Sequence, residues 1–394
     1  MKAKVIIVAA FVLAAFAIVL LVKSGGDKKK SEAAKPNTTQ PSKPQSAEAT
    51  IEVLYSTEKK DWIEAVTADF MKANPQVKVT LVGKGSLDAA QGILDGQLKP
   101  VVWSPADSMV LNLLVSDWQT KNHASIVAAS GDDAPQPLLL TPLVFVAWQD
   151  RANALLKASG GSISWKAIHK AVVSPQGWPA VGGQGRWGFV KLGHTDPTKS
   201  NSGLQALYLM SLEYWNKNKL QVEDLLDPKY QEFVKGVEKG VTKFESSTGT
   251  FMTDMVRFGP SKYDISVVYE SLAISQLADA AGRWGKLRVY YPATTIWSDH
   301  PVALLNGAWV TPEQKQAAKQ YIAFLRAKPQ QQRALEFGFR PADTTVPIVT
   351  SDAQNPFTRL AADGVTVDVP PAAPAPDGPV VRNLMMMWTR VVQQ

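Results

Sequence analysis

The feature of this sequence that most constrains its fold is a strict alternation of short apolar runs and helical segments over residues 51–118. Strands are predicted at 51–55, 77–82 and 100–103, and helices of 3.6-residue periodicity at 61–72, 87–97 and 106–118. A β-α-β-α-β-α order is typical of a parallel sheet covered by helices on both faces. In such sheets ligands bind beyond the carboxyl ends of the strands.

A second α/β unit follows the first. An extended apolar segment at 137–148 contains Pro142, and after it strands are predicted at 189–192, 265–269 and 287–291, with helices at 165–172, 204–216, 231–243 and 273–281. Thr311, Pro312 and Gln314 form the signature of a capped helix start, and the chain ends in an amphipathic helix at 381–392. A length of 394 residues agrees with two domains.

The first fifty residues have the pattern of a membrane-targeting segment followed by a linker. Lys2 and Lys4 precede an uninterrupted apolar run at 5–22, which as a helix would be about 27 Å long and would nearly cross a bilayer. We therefore predict a signal anchor or transmembrane helix at 1–22 and a flexible linker at 23–50, rich in Lys, Ser and Pro. A cleaved signal peptide is the alternative. Either interpretation places the body outside the cytoplasm.

Charge and composition exclude several function classes. The net charge is +7, of which residues 1–50 carry +5, so the body carries only +2 and a nucleic-acid partner is not predicted. The absence of cysteine excludes disulfides, thiolate metal sites, a cysteine nucleophile and a lipid-modified cysteine. No nucleotide-binding, zinc-protease or serine-hydrolase motif occurs, and we predict neither an enzyme nor a cofactor.

Small hydroxyl side chains gather at the predicted strand ends. Ser56, Thr57, Ser86 and Ser104 occupy turns after the first three strands, and Thr198, Ser200, Asn201 and Ser202 directly precede the helix at 204–216. Hydroxyls and backbone N–H groups at a helix N-terminus can hold a tetrahedral oxyanion without a cationic side chain. The alternative is that these residues only cap helices and fill turns.

Two other groups of residues carry weaker signals. Glu270 follows the strand at 265–269, where a carboxylate would suit an amine or a metal; the alternative is a carboxylate that is exposed or paired with Arg or Lys. His194 with Asp196, and Asp299 with His300, would form a metal site only if their loops met. No tight ligand spacing recurs, so no metal is predicted.

The stretch 192–204, with the sequence LGHTDPTKSNSGL, resembles the second-lobe loop of bacterial extracellular solute-binding proteins. The resemblance is to the sulfate/molybdate-like branch and to relatives that carry a von Willebrand A domain. Supporting segments are 142–146, 102–105 and Tyr269–Glu270–Ser271. The resemblance implies a two-lobed periplasmic-binding fold of the second type. The first lobe would consist of 51–142 and 293–394, with the last helix packed onto it. The second lobe would consist of 143–292.

The resemblance and the residues together predict a membrane-tethered, extracytoplasmic protein that closes its lobes over a small solute, an oxyanion by preference. The predicted ligand residues are Ser56, Thr57, Ser86, Ser104, Thr198, Ser200, Asn201, Ser202, Tyr269 and Glu270. An ABC permease or an envelope protein is the expected partner. Two alternatives stay open: an envelope scaffold with a degenerate cleft, and a receptor for a carbohydrate or an organic cation.

Overall fold

The computed structural model describes residues 49–393. The predicted membrane segment at 1–22, and all but the last two residues of the predicted linker, lie outside this range. Between residues 49 and 393, no helix combines the length and the apolarity that crossing a bilayer requires.

The first sheet has the strand order β2-β1-β3-β9. Strands β1 (Ala49–Tyr55), β2 (Val77–Gly83) and β3 (Val102–Ser104) are parallel, and β9 (Ala303–Leu304) pairs antiparallel with β3. Ile51 and Val53 lie in one hydrophobic core with residues of α1 (Lys60–Ala73) and α10 (Pro312–Arg326). Leu54 lies in another core with α2 (Ser86–Leu94) and α3 (Ser108–Asn122). The alternating side chains of β1 thus place helices on both faces of the sheet.

The second sheet is built around a ten-residue strand, β4 (Leu139–Trp148). Strand β6 (Ile265–Tyr269) runs antiparallel to β4 and parallel to β5 (Leu192–Gly193). Strands β7 (Leu287–Tyr290), β8 (Trp297–Ser298) and β10 (Arg340–Pro341) also pair antiparallel with β4. Strand β5 is shorter than the predicted 189–192, and Phe189 is exposed.

The remaining helices have the following bounds. They are α4 (Gln149–Ser159), α5 (Trp165–Val173), α6 (Asn201–Trp215), α7 (Pro228–Glu238), α8 (Thr248–Phe258), α9 (Glu270–Ala280), α11 (Lys328–Ala334), α12 (Pro356–Arg359) and α13 (Gly378–Val392). Thr311 and Gln314 form the predicted capping box at α10. Helices α4, α8, α11 and α12 were not expected from the sequence.

Strand β4 belongs to both lobes. Thr141 and Pro142 pair with β8, and from Leu143 onward the strand pairs with β6. The partner therefore changes where the predicted lobe boundary falls, between residues 142 and 143. The lobe bounds themselves stay a prediction from the sequence.

The C-terminal helix α13 corrects one expectation. Its apolar stripe, expected to pack onto the first lobe, instead contacts mainly α7 and α6 of the second lobe. The fully buried Trp388 stacks edge-on against Phe244, with 5.0 Å between ring centroids, and its Nε1 donates to Glu238 2.9 Å away. Val381, Leu384 and Met387 of the stripe belong to the same hydrophobic core as residues of α6 and α7, so apolar packing holds the stripe there. Contact with the first lobe includes an ion pair of Arg382 with Asp117 on α3.

Gly203, in the first turn of α6, gives a direct test of the packing. A Cβ at this position would lie 2.1 Å from the backbone oxygen of Thr195, so Gly203→Ala should lower the free energy of unfolding by about 1–3 kcal/mol or more. The control is Gly185→Ala, where the nearest atom outside the neighbouring residues is a proline carbon at 3.9 Å. Urea unfolding of both variants measures the difference, and equal stabilities would contradict this packing.

Candidate functional site

The two lobes touch at several points between the sheets. Thr57 Oγ1 lies 2.7 Å from Ser247 Oγ, and the backbone N–H of Asp88 donates to the carbonyl of Lys199 at 3.3 Å. A Cβ on Gly85 would lie 2.7 Å from the carbonyl oxygen of Ser246, so only glycine permits this approach. The structure is therefore a closed form.

Polar side chains from both lobes converge at this closure, and we call them the interlobe cluster. The first lobe contributes residues that follow β1 and residues at and after the end of β3. The second lobe contributes residues of α6 and the end of β6, and the last residue of β8 and the segment after it contribute one each. Its members are Ser56, Glu58, Lys59, Ser104, Asp107, Asn201, Gln205, Tyr269, Ser298 and His300.

Hydrogen bonds connect the cluster across the lobes. Gln205 Nε2 of α6 donates to Asp107 Oδ2 and to Ser298 Oγ, both at 2.9 Å. Asn201 Nδ2 donates to the Tyr269 hydroxyl at 3.1 Å. The Tyr269 and His300 rings lie 5.9 Å apart. Helix α6 thus connects the second lobe to the first by hydrogen bonds.

Lys59 was missed by the sequence reasoning, although it lies in the turn directly after β1. It is fully buried, and its Nζ donates to the carbonyls of Ser104 (2.9 Å) and Pro105 (3.1 Å) and to Ser56 Oγ (2.5 Å). Burial lowers the pKa of Lys59 to about 8, against the opposing effect of Glu58. A mostly protonated lysine at neutral pH places one positive charge beneath the cluster.

Several buried polar atoms of the cluster have no hydrogen-bond partner among the described residues. They are Ser104 Oγ, Asn201 Oδ1, Gln205 Oε1 and both ring nitrogens of His300. His300 Nδ1 lies 3.3 Å from Glu58 Oε1, without hydrogen-bond geometry. Since buried polar groups are nearly always satisfied, atoms from both lobes that lack partners in one place indicate a binding site for a polar molecule.

The N-terminus of α6 forms a second part of the site. Ser202 Oγ lies 2.8 Å from Thr195 Oγ1 and 2.6 Å from Thr248 Oγ1, and Ser200 Oγ lies 3.3 Å from the latter. The Ser200 side chain makes no capping bond in this part of the chain, and the first turn of α6 is buried. The first N–H groups of a helix need acceptors from outside it, which a bound solute can supply.

The other predicted residues have local roles. Ser86 Oγ accepts from the N–H of Ala106 at 2.9 Å, and Thr198 Oγ1 donates to Asp196 at 2.6 Å. Thr57 closes against Ser247 as described above. The positions of Ser86 and Thr198 therefore agree with the alternative that such residues fill turns and cap helices. Four other predicted residues lie in the cluster: Ser56, Ser104, Asn201 and Tyr269.

Glu270 is buried and paired. Its two carboxylate oxygens accept from Arg340 Nε (2.7 Å) and Nη2 (2.8 Å), and the Tyr291 hydroxyl donates to it as well. The structure thus shows the alternative of a carboxylate paired with Arg. The pair links the residue that follows β6 to strand β10.

Carboxylates outnumber cations around the cluster. Burial, and then the charge of Asp299, raise the pKa of Asp107 to about 7. Burial, and then Lys59, hold the pKa of His300 well below its ordinary value, so the ring is neutral at pH 7. Glu58 adds another acidic side chain: its Oε1 accepts from the Ser56 hydroxyl at 2.5 Å, and that hydroxyl in turn accepts from Lys59 Nζ.

The two histidine–aspartate pairs do not form a metal site. His194 Nε2 lies 2.7 Å from Glu238 Oε2, whereas His300 lies in the interlobe cluster. Across residues 49–393 no group of three or more His, Asp or Glu side chains is arranged to hold a metal ion.

Two cavities flank the cluster. One of about 540 Å³ is lined by residues of both lobes, among them Thr57, Glu58 and Thr250. Another of about 650 Å³ lies between α3 and the segment before α13, with Asp107, Asp299 and Trp297 in its wall. Either volume would admit a small solute, and each is lined by one residue of the cluster, Glu58 in the first and Asp107 in the second.

The fold and this cleft define a two-lobed periplasmic-binding protein. Residues 51–340 match the family of bacterial extracellular solute-binding proteins, and the chain belongs to this family. A search of curated proteins by sequence finds no match.

Solved structures share the fold at low identity. The sulfate-binding protein SubI from Mycobacterium tuberculosis is 17% identical, with a TM-score of 0.55 over 84% of this chain and 96% of that one. The periplasmic binding protein AfuA from Actinobacillus pleuropneumoniae, with fructose-6-phosphate bound, is 14% identical (TM-score 0.56; 88% and 99% covered). Apo ferric ion-binding protein A from Pasteurella haemolytica is 13% identical (TM-score 0.56; 87% and 97%).

Asp107 gives the site a measurable pH dependence. With a folded pKa of about 7 and an unfolded pKa of about 3.9, its ionisation destabilises the fold progressively as pH rises between these values. Asp107→Asn keeps a helix-capping acceptor and removes this charge. The melting temperature of the variant relative to wild type should therefore rise from pH 5 to pH 8, and a difference that stays constant with pH would contradict the assignment.

The buried pair of Glu270 and Arg340 should be expensive to break. Arg340→Met leaves a fully buried carboxylate without its cation, which costs about 3–5 kcal/mol of unfolding free energy. The matched control is Arg333→Met, whose partner Asp69 is half-exposed, and it should cost about 1 kcal/mol or less. Denaturant unfolding compares the two, and similar losses would show that the buried pair is not the stronger constraint.

Proposed function

We propose that this protein is a membrane-tethered, extracytoplasmic receptor that captures a small polar solute in the interlobe cluster and holds it by lobe closure, without chemical turnover. The observation that carries the proposal is the set of unpaired buried atoms contributed by both lobes: Ser104 Oγ, Asn201 Oδ1, Gln205 Oε1 and the His300 ring. A solute that satisfies them would stabilise the closed form over the open one.

An oxyanion is the solute class that we place first. The buried first turn of α6, the hydroxyls of Ser200, Ser202 and Thr248, and the cationic Lys59 all favour negative charge. Sulfate is named for one structural relative and a sugar phosphate for another, which agrees with this class without deciding it.

A carbohydrate or an organic cation is the second candidate. The buried carboxylates of Asp107 and Glu58 repel anions, and the unpaired carbonyl oxygens of Asn201 and Gln205 call for donors from the solute. Hydroxyl or ammonium groups would meet this demand. An oxyanion would therefore bind at the N-terminus of α6 and near Lys59. A carbohydrate or an organic cation would instead bind at the carboxylates and the amide oxygens.

The setting of the receptor follows from the family and the leader. Extracellular solute-binding proteins have bodies outside the cytoplasm. The apolar run at 5–22 would keep this body at the membrane, and an ABC permease would receive the solute there. The alternative function is an envelope scaffold with a degenerate cleft. In that case no solute would bind to the unpaired atoms.

The solute class is tested by calorimetric titration and Trp fluorescence with sulfate, molybdate and phosphate, a sugar set and an amine set. We expect an oxyanion to bind, and Ser202→Ala to weaken it roughly 10- to 100-fold through loss of a hydrogen bond to a charged group. Ser211→Ala is the control: it is another buried serine of α6, bonded to Leu207 and Tyr230, and affinity should be unchanged.

Binding of sugars or amines alone would replace the oxyanion by the second candidate. Absence of binding to every class, with no small molecule copurifying in native mass spectrometry, would contradict the receptor function and favour the scaffold.

A further inference from the structure

The second sheet has two edges, and only one of them faces the interlobe cluster. Strands β5, β6 and β7 run in one direction and β4 in the other, so the residues before β5, β6 and β7 and those after β4 share the far edge. Helix α9 starts at the cluster, after β6, and ends toward the same far edge. We call the segments 148–151, 183–191, 254–264 and 279–286 the distal surface.

The distal surface exposes large aromatic side chains. Phe189 is 64% exposed, Trp284 49% and Phe258 39%. Trp284 packs against Gly259, which follows Phe258, and its Nε1 donates to the carbonyl of Val256 at 3.1 Å. Exposed Phe and Trp grouped at one edge mark a contact surface, since soluble proteins rarely leave such side chains together in water.

The same surface is basic. Its segments contain Arg151, Arg186, Lys191, Arg257, Lys262, Arg283 and Lys286 against Asp150, Asp254, Asp264 and Asp279, a net charge of +3 compared with +2 for the whole of 51–394. Asp363, from outside these segments, pairs with Lys286. Arg186, Arg257 and Arg283 form no ion pair within residues 49–393. Arg257 and Lys262 lie over the Phe258 ring, 5.1 and 5.2 Å from its centroid.

We propose that the distal surface docks onto an anionic lipid surface. Exposed Phe and Trp insert at the level of the lipid headgroups, and arginines beside them are attracted to anionic lipids. The linker predicted at 23–50 would reach about 90 Å if extended, so a membrane segment at 5–22 would not prevent this edge from turning toward the bilayer. Docking by this edge would leave the interlobe cluster, at the opposite edge, facing away from the bilayer.

Hydrogen–deuterium exchange of the full chain tests the proposal in nanodiscs of phosphatidylcholine alone and of phosphatidylcholine mixed with phosphatidylglycerol. In the anionic discs we expect exchange across 254–264 and 279–286 to slow by about tenfold, and the effect to weaken at high salt. Solute binding is not required for this readout, so its result is independent of the proposed function.

The double variant Phe258→Ser with Trp284→Ser should lose the slowing. Its matched control is Leu226→Ser with Val349→Ser, two side chains that are 61% and 53% exposed outside the distal surface, and the slowing should persist there. Equal exchange in both kinds of disc, or slowing that the Phe258/Trp284 variant retains, would overturn the proposal. Slowing that appears only when solubilised envelope proteins are added would overturn it in favour of a protein partner.

Discussion

The structure depends on one strand that belongs to both lobes. Strand β4 pairs with β8 and β10 through its first residues and with β6 and β7 through the rest, so the lobes are joined by a continuous hydrogen-bonded ribbon. The buried pair of Glu270 and Arg340 fixes the end of β6 to β10 beside this ribbon. This ribbon holds the two lobes next to each other. The ends of β1, β3 and β6 therefore face one another and form the interlobe cluster.

Lobe closure explains why so many polar groups are buried there. Each lobe alone would expose its strand ends to water, which would satisfy Ser104, Asn201 and Gln205. Closure removes that water, and each unsatisfied group costs about 1–3 kcal/mol. The closed form is therefore expensive unless a solute occupies it, and that cost is what would couple binding to closure. The glycine at position 85 and the bond between Thr57 and Ser247 are the contacts that such closure makes.

Much of this arrangement could be predicted from the sequence, because periodicity and capping are local. The predicted strand 265–269 coincides with β6, and the capping box at Thr311 is present. Helices α4 and α8 were missed, although α8 carries Phe251, Met252, Met255 and Val256 at helical spacing. The signal of α4 is weaker, since its buried residues are only Ala152, Ala154 and Leu155. The position of α13 also depends on partners distant in the sequence, among them Phe244 and Glu238, which no local pattern reveals.

The candidate site was predicted in part for the same reason. The strand-end hydroxyls Ser56 and Ser104 were found because turns after parallel strands share one edge. Lys59, Asp107 and Gln205 were missed, since a charged or amide side chain is ordinarily solvated and only the meeting of the lobes buries it. His300 was considered only as a metal ligand beside Asp299. Glu270 was predicted as a ligand residue, with pairing to Arg or Lys as the alternative, and its partner Arg340 lies seventy residues away in the sequence.

The most direct test of the account is a high-resolution crystal structure of the protein purified without added ligand, or with a solute identified by titration. We predict non-protein density larger than a water within hydrogen-bond distance of Ser104 Oγ and of the His300 ring, with Asn201 and Gln205 also engaged. A closed structure in which these atoms pair with one another, or with water alone even at saturating solute, would contradict the claim that this cluster is the binding site.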